Sequence, residues 1–288
     1  MSPKQSNHQN EATGTRPKGA SRSGRGLAVE ALENRSLMAG DMTAENYNGE
    51  LRITGDGHHN GVVITLLATG SFSVKGVSRH GPTRVNGVTS AVTFSNVTWD
   101  IRVDLAGGDD FVQIRGPQQW QRVQYRLSED SDIVIFSGEG NDVVDVRRIN
   151  NAGFGLDSYM SIDTGSGNDK VTVSDVWSAD GFWVHTGSGN DSVAFSRAFT
   201  VANTTMRVAT GPDQDRVRVN RCTLGTLMID LGSGVDVGSR FTNNQLAGTT
   251  IHEIYGWDFF EAGGAFWRNN TRNAAWRTSP FYFWTDLA

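Results

Sequence analysis

One cysteine, six prolines and no long apolar run set the outer limits of this 288-residue chain. Cys222 alone cannot form an intramolecular disulfide, so no disulfide framework holds the fold, and so little cysteine permits an extracellular address. In Val217-Arg-Val-Asn-Arg-Cys222 no activating neighbour is evident, so the thiol reads as a small residue near a bend rather than a nucleophile. With no stretch of about 20 apolar residues, no membrane-spanning segment is expected. His58, His59, His80 and His252 lack metal-ligand spacing apart from the adjacent pair, and no transition-metal site is assigned. The scarcity of proline against 34 glycines suits a turn-rich all-β chain rather than a low-complexity one.

What is present is a turn that recurs. It reads Gly138-Glu-Gly-Asn-Asp142, Gly165-Ser-Gly-Asn-Asp169 and Gly187-Ser-Gly-Asn-Asp191, with a near copy at Gly232-Ser-Gly-Val-Asp236. Looser copies end at Asp110 and Asp215. Aligned on the last Asp, the residues nine before are Ile101, Ile133, Met160, Phe182, Met206 and Leu227. Two after stand Val112, Val144, Val171, Val193 and Val217, and four after Ile114, Val146, Val173, Phe195 and Val219. Each turn therefore joins two strands with apolar residues at alternate positions, the period of a half-buried strand.

The anchors are 32, 27, 22, 24 and 21 residues apart. Recurrence at such a period is the signature of a solenoid. Identical turns once per period exclude a hairpin stack, in which they would alternate ends. About 22 residues suffice for three short strands and three bends, stacked about 4.8 Å from the next coil. The expectation is a right-handed parallel β-helix of about seven to eight coils, each 21–32 residues, over residues 50–250. Asn60 fits the register upstream, with Leu51, Ile53, Val62 and Ile64 in the apolar columns. The 50 residues from Asn60 to Asp110 read as two coils, and Gly238 and Arg240 in the valine columns end the register after Asp236.

The two ends differ from the repeats. Residues 1–26 carry five basic and one acidic residue with almost no apolar groups, so they are expected to be a disordered basic tail. The remaining 262 residues then hold a net charge of −9, which argues against nucleic acid as a partner and suits cation binding. From Tyr255 onward lie eleven of the chain's 27 aromatic residues. Residues 251–288 are read either as a cap on the last open coil or as a patch for docking or oligomerisation.

Leu32-Glu33-Asn34-Arg35-Ser36-Leu37-Met38, inside a segment over 27–41 with the apolar spacing of a short helix, resembles the LEPR-XLL motif of large bacterial secreted or surface proteins. Asn34 replaces its Pro and Met38 its last Leu, and Ala39-Gly40-Asp41 is similar to the usual continuation. The resemblance implies export and an extracellular or cell-surface location. The turns resemble the hemolysin-type (RTX) calcium-binding repeat, in which turn carbonyls and successive Asp carboxylates enclose calcium. Here each coil carries one unit, and Ser137, Thr164 and Thr186 replace its first Gly.

Two readings of the turn follow. Asp142, Asp169 and Asp191, stacked about 4.8 Å apart, repel by about 1 kcal/mol in water. Calcium bound with Asn141, Asn168 and Asn190 nearby would relieve this. Alternatively Asn and Asp cap the turn's own amides and no ion is needed.

The face before each turn holds the remaining candidates. Asp163 and His185 fall on adjacent coils beside Trp183. A carboxylate, an imidazole and an aromatic platform could support acid–base chemistry on a sugar. The same groups also make an ordinary surface pair, and Trp183 alone can hold a sugar by stacking. The leading expectation is a non-enzymatic secreted or surface protein displaying a ligand face to a cell-surface or matrix polysaccharide or protein. The alternative is a carbohydrate-active enzyme, a lyase or hydrolase of acidic polysaccharide.

Overall fold

The computed structural model describes residues 40–246 apart from 80–81, 120–126, 129, 152–157, 202–203, 235 and 237, with the backbone of four later strands, His252–Tyr255, Phe266–Arg268, Thr271–Arg272 and Trp276–Thr278. The basic tail 1–26, residues 27–39 of the export-like segment, His80 and the side chains of the aromatic segment 251–288 lie outside the described residues. Of the short helix expected over 27–41, Gly40 and Asp41 are described, and Asp41 opens a strand, Asp41–Tyr47.

The described residues are all-β, with parallel strands stacked in two long sheets. The first sheet holds Glu50–Thr54, Ile101–Asp104, Ile133–Phe136, Tyr159–Asp163, Gly181–His185, Thr205–Ala209 and Thr226–Asp230 in that order. The second holds Gly61–Ala68, Phe111–Arg115, Val143–Asn151, Lys170–Ser178, Ser192–Ser196, Arg216–Asn220 and Arg240–Thr242. Each glycine turn leads from the first sheet to the second. A rung is named here by its turn residue, so the Asp191 rung comprises Gly181–His185 and Ser192–Ser196.

The register is the one the apolar columns demand. Ile101, Ile133, Met160, Phe182, Met206 and Leu227 pair in succession, as do Val112, Val144, Val171, Val193 and Val217. All are buried, and the two sheets share one core, with Phe182 and Phe195 meeting edge to face across it at 5.4 Å. Each such side chain contributes about 1.5–3 kcal/mol of burial, so a rung is held by its inward face.

Inside the longer second-sheet strands, or just past the shorter ones, the chain turns a corner through a residue of positive φ: Arg148, Asp175, Arg197, Arg221 and Asn243 at 51–58°. Short strands Phe199–Thr200, Thr223–Leu224 and Gln245–Leu246 follow and stack in parallel beside the end of Lys170–Ser178. None of these corner residues is glycine, so each carries the Cβ strain of the left-handed region.

Two expectations are corrected. The 50 residues between Asn60 and Asp110 are not two coils: Leu51 pairs with Ile101 and Val62 with Val112, so the Asn60 rung stacks directly on the Asp110 rung. The surplus length folds back as Ser71–Gly76, antiparallel to Gly61–Ala68, with Val92–Phe94 antiparallel beyond it. Phe72 and Val74 alternate like a coil strand, but Gly70 at φ 68° reverses the chain and sets the opposite direction. Nor does the register end at Asp236. Phe241 pairs with Val219 one residue late, and Ser239 Oγ accepts the Val217 N–H at 3.0 Å where a valine was expected. Parallel pairing runs on to Trp276–Thr278, past residue 250.

Candidate functional site

The repeated turn places its Asp and its Asn on opposite sides. Asp142, Asp169 and Asp191 are buried, as are Asp110, Asp215 and Asp236. Asp142 Oδ1 accepts the N–H of Asp110 at 2.7 Å, Asp169 Oδ1 that of Asp142 at 2.8 Å, and Asp191 Oδ1 that of Asp169 at 2.8 Å. Asp215 and Asp236 continue the series at 2.8 Å, and Asp110 opens it on Asn60 at 2.6 Å. Outside, Asn141 donates N–H and Nδ2–H to Asp109 Oδ1, Asn168 does the same to Asn141 Oδ1, and Asn190 to Asn168 Oδ1, all at 2.7–3.1 Å. Two polar ladders thus run along one edge, one dry and one wet.

Burial is the largest influence on the Asp110, Asp142, Asp169, Asp191 and Asp215 carboxyls and raises each of these five. Asp169 and Asp215 are pushed up to about 7 and Asp110 to about 9, while Asp142 and Asp191 are also raised. Ser137, Thr164, Thr186 and Thr210, buried five residues before their Asp, place a hydroxyl beside Asp142, Asp169, Asp191 and Asp215, which holds those carboxyls down. Asp110 has Leu105 at that position and lies highest. The Thr186 and Thr210 hydroxyls also reach the carbonyls of Thr210 and Leu231 on the next rung, at 3.4 and 3.3 Å. The second oxygen, Oδ2, of each ladder carboxyl is buried without a hydrogen-bond partner, as are the Ser137 and Thr164 hydroxyls, and an unpaired buried oxygen of this kind disfavours the charged form.

The inward aim of these carboxyls was readable. Asp142 stands an even number of residues from Val144 and Val146, and Asn141 an odd number, so period-2 alternation already sends them to opposite sides. The Ser137, Thr164 and Thr186 hydroxyls lie beside those carboxyls.

A second candidate lies on the outer face of the first sheet. A groove of about 510 Å³ there is lined by Tyr159, Ser161, Asp180, Trp183, Thr205 and Arg207, among others. Trp183 is 43% exposed, and the Arg207 guanidinium lies 5.8 Å from its ring centroid. Ser161 pairs with Trp183 and Trp183 with Arg207 on successive strands, so one column supplies hydroxyl, ring and cation. No family model, curated protein or solved structure matches this chain.

Asp163 and His185 are register partners, with Nδ1 and Oδ1 3.5 Å apart and both side chains nearly half exposed. The Asp163 carboxylate raises the imidazole's pKa above its ordinary value, against the opposing effect of burial. The structure brings this pair next to Trp183, and the groove's own carboxylate is Asp180, on the turn before it. Cys222 is buried, its thiol pushed up to about 11 by desolvation, and its N–H donates to Asn244 Oδ1 at 2.9 Å.

Proposed function

We propose that the chain is a right-handed parallel β-helix, exported to the cell surface or beyond, whose first-sheet face binds a saccharide over Trp183 without turning it over. The observation that carries this is the half-exposed Trp183 ring in an open groove beside Arg207. An indole face takes the C–H face of a pyranose, a guanidinium takes its oxygens, and Ser161 and Thr205 add hydroxyls. A ring fixed on a sheet loses little freedom on binding. Export is supported by the LEPR-XLL-like segment at Leu32–Met38.

For the turns we favour amide capping over calcium, because each Oδ1 of the inner ladder already holds an N–H and the carboxyls are buried inside the stack. The deciding experiment for the groove is calorimetric titration with a panel of neutral and acidic oligosaccharides, repeated on Trp183→Ala. A ligand bound by the wild type and weakened about tenfold in the variant supports the reading. Equal affinity in both sinks it. The Asp163–His185 pair favours a second reading, a polysaccharide lyase or hydrolase, and new unsaturated or reducing ends from acidic polysaccharide would establish that one instead.

A further inference from the structure

Charge is segregated between the two sheets. On the second sheet and the corner that closes it stand Lys75, Arg115, Arg147, Arg148, Lys170, Arg197, Arg216, Arg218, Arg221 and Arg240, against Asp145 and Asp175 alone among the described residues. Asp145 is engaged by Arg147 and Gln113, and Asp175 accepts from Nε and Nη2 of Arg197. The acidic groups that give the chain its net charge of −5 lie elsewhere.

The excess concentrates toward later rungs. Arg216 and Arg218 point outward from one strand, about 6.7 Å apart along it. Arg218 pairs in register with Arg240 one strand on, about 4.8 Å away. All three are exposed, and among the described residues neither Arg218 nor Arg240 has an ion-pair partner. Like charges placed directly opposite oppose the pairing of their own strands, so the sheet tolerates an arrangement that an anion would relieve. Before them Ser192 and Ala194 form a low strip, with Lys170 on its far side.

The geometry points to this face as a binding surface for an anionic polysaccharide, carboxylated or sulfated, with Arg216, Arg218 and Arg240 as its charged contacts and the Ser192–Ala194 strip as its bed. The spacing of cations by one rung suits a single chain with one charge per sugar. Duplex DNA, at about one charge per 1.7 Å, would bring far more charge than these cations match. Its width would also set it against the acidic turn residues Glu139 and Asp213 at the rim. The inference does not use the Trp183 groove and stands or falls apart from it.

The test measures binding of the full chain to polygalacturonate, dextran sulfate, neutral dextran and a 30-base-pair DNA duplex at low salt and at 0.5 M NaCl. Arg218→Gln/Arg240→Gln is compared with the first-sheet control Arg52→Gln/Arg102→Gln, and thermal melts check that both fold. Salt-sensitive binding to polygalacturonate or dextran sulfate, weakened about tenfold by the second-sheet variant and not by the control, is expected. The two polyanions distinguish carboxylate from sulfate. Binding to neutral dextran alone, DNA bound as tightly as either polyanion, equal loss in both variants, or no binding at low salt would overturn the assignment. If Arg218→Gln/Arg240→Gln does not fold, a salt-insensitive wild type would overturn it equally.

Discussion

Replacing Asp169 with asparagine separates the charge of the inner ladder from its hydrogen bonds. Asparagine keeps Oδ1 for the Asp142 N–H, now at 2.8 Å, and puts an N–H where a protonated Oδ2 faces the Thr164 hydroxyl. Burial raises the Asp169 carboxyl from 3.8 to about 7 in the folded state. Between those values the folded chain holds a proton that the unfolded chain has released, so wild-type stability falls as pH rises from about 4 to about 7 and is level beyond. At 1.36 kcal/mol per unit the ceiling is about 4 kcal/mol, and about half of it survives once neighbouring carboxyls shift in response. Urea unfolding at pH 4 and pH 8.5 reads this directly. Asp169→Asn is expected to match wild type at pH 4 and to exceed it by about 2 kcal/mol at pH 8.5. Asp169→Ala removes the acceptor and orphans a buried N–H, costing about 1–3 kcal/mol at both pH values. An asparagine variant less stable than wild type at pH 8.5 would refute the reasoning, since the ionised carboxylate would then be stabilising.

Other outcomes follow from the same geometry. Millimolar calcium or a chelator is expected to leave the melting temperature unchanged, whereas a rise of several degrees that vanishes in Asp142/Asp169/Asp191→Asn would restore the calcium reading. Gly167, at φ 135°, has the carbonyl oxygen of Gly140 where a Cβ would sit, so Gly167→Ala should cost several kcal/mol or abolish soluble expression, read by thermal melting. Asp163→Asn should lower the His185 pKa in an NMR titration. The pair stabilises below the unfolded imidazole value and is lost as pH rises through the raised one. Because both groups are nearly half exposed, that loss should stay below about 1 kcal/mol.

The parts of the fold that were legible in sequence are those written locally. Glycines at Gly165 and Gly167, with Asp169 and Val171 at alternate positions, fix one corner and both adjoining strands without reference to the rest of the chain. The other corner left no such mark. Arg148, Asp175, Arg197 and Arg221 take positive φ with side chains that do not advertise it, because stacking on the rungs above and below imposes the conformation. The 50 residues from Asn60 to Asp110 misled because length alone does not specify the direction in which a strand runs, and Ser71–Gly76 folds back antiparallel to Gly61–Ala68. Trp183 and the Asp163–His185 pair were found from the columns, since register alone brings them together. Tyr159 and Asp180 were missed as groove residues because they sit at strand and turn ends, where alternation carries no information.

The inner ladder points one way. From Asp110 to Asp215 each turn aspartate donates its N–H to the carboxyl of the following rung, and Asp110 receives its own donor from Asn60. Any rung of this kind presents the same acceptor to its predecessor and the same donor to its successor. Asp169 could therefore follow Asp110 as well as Asp142 does. Loss or duplication of one whole segment, spliced between equivalent positions, would leave both ladders and both apolar columns unbroken. A deletion of two or three residues within a segment would break all of them. The molecule is thus built to change length in whole segments, as a chain does by adding or dropping a link.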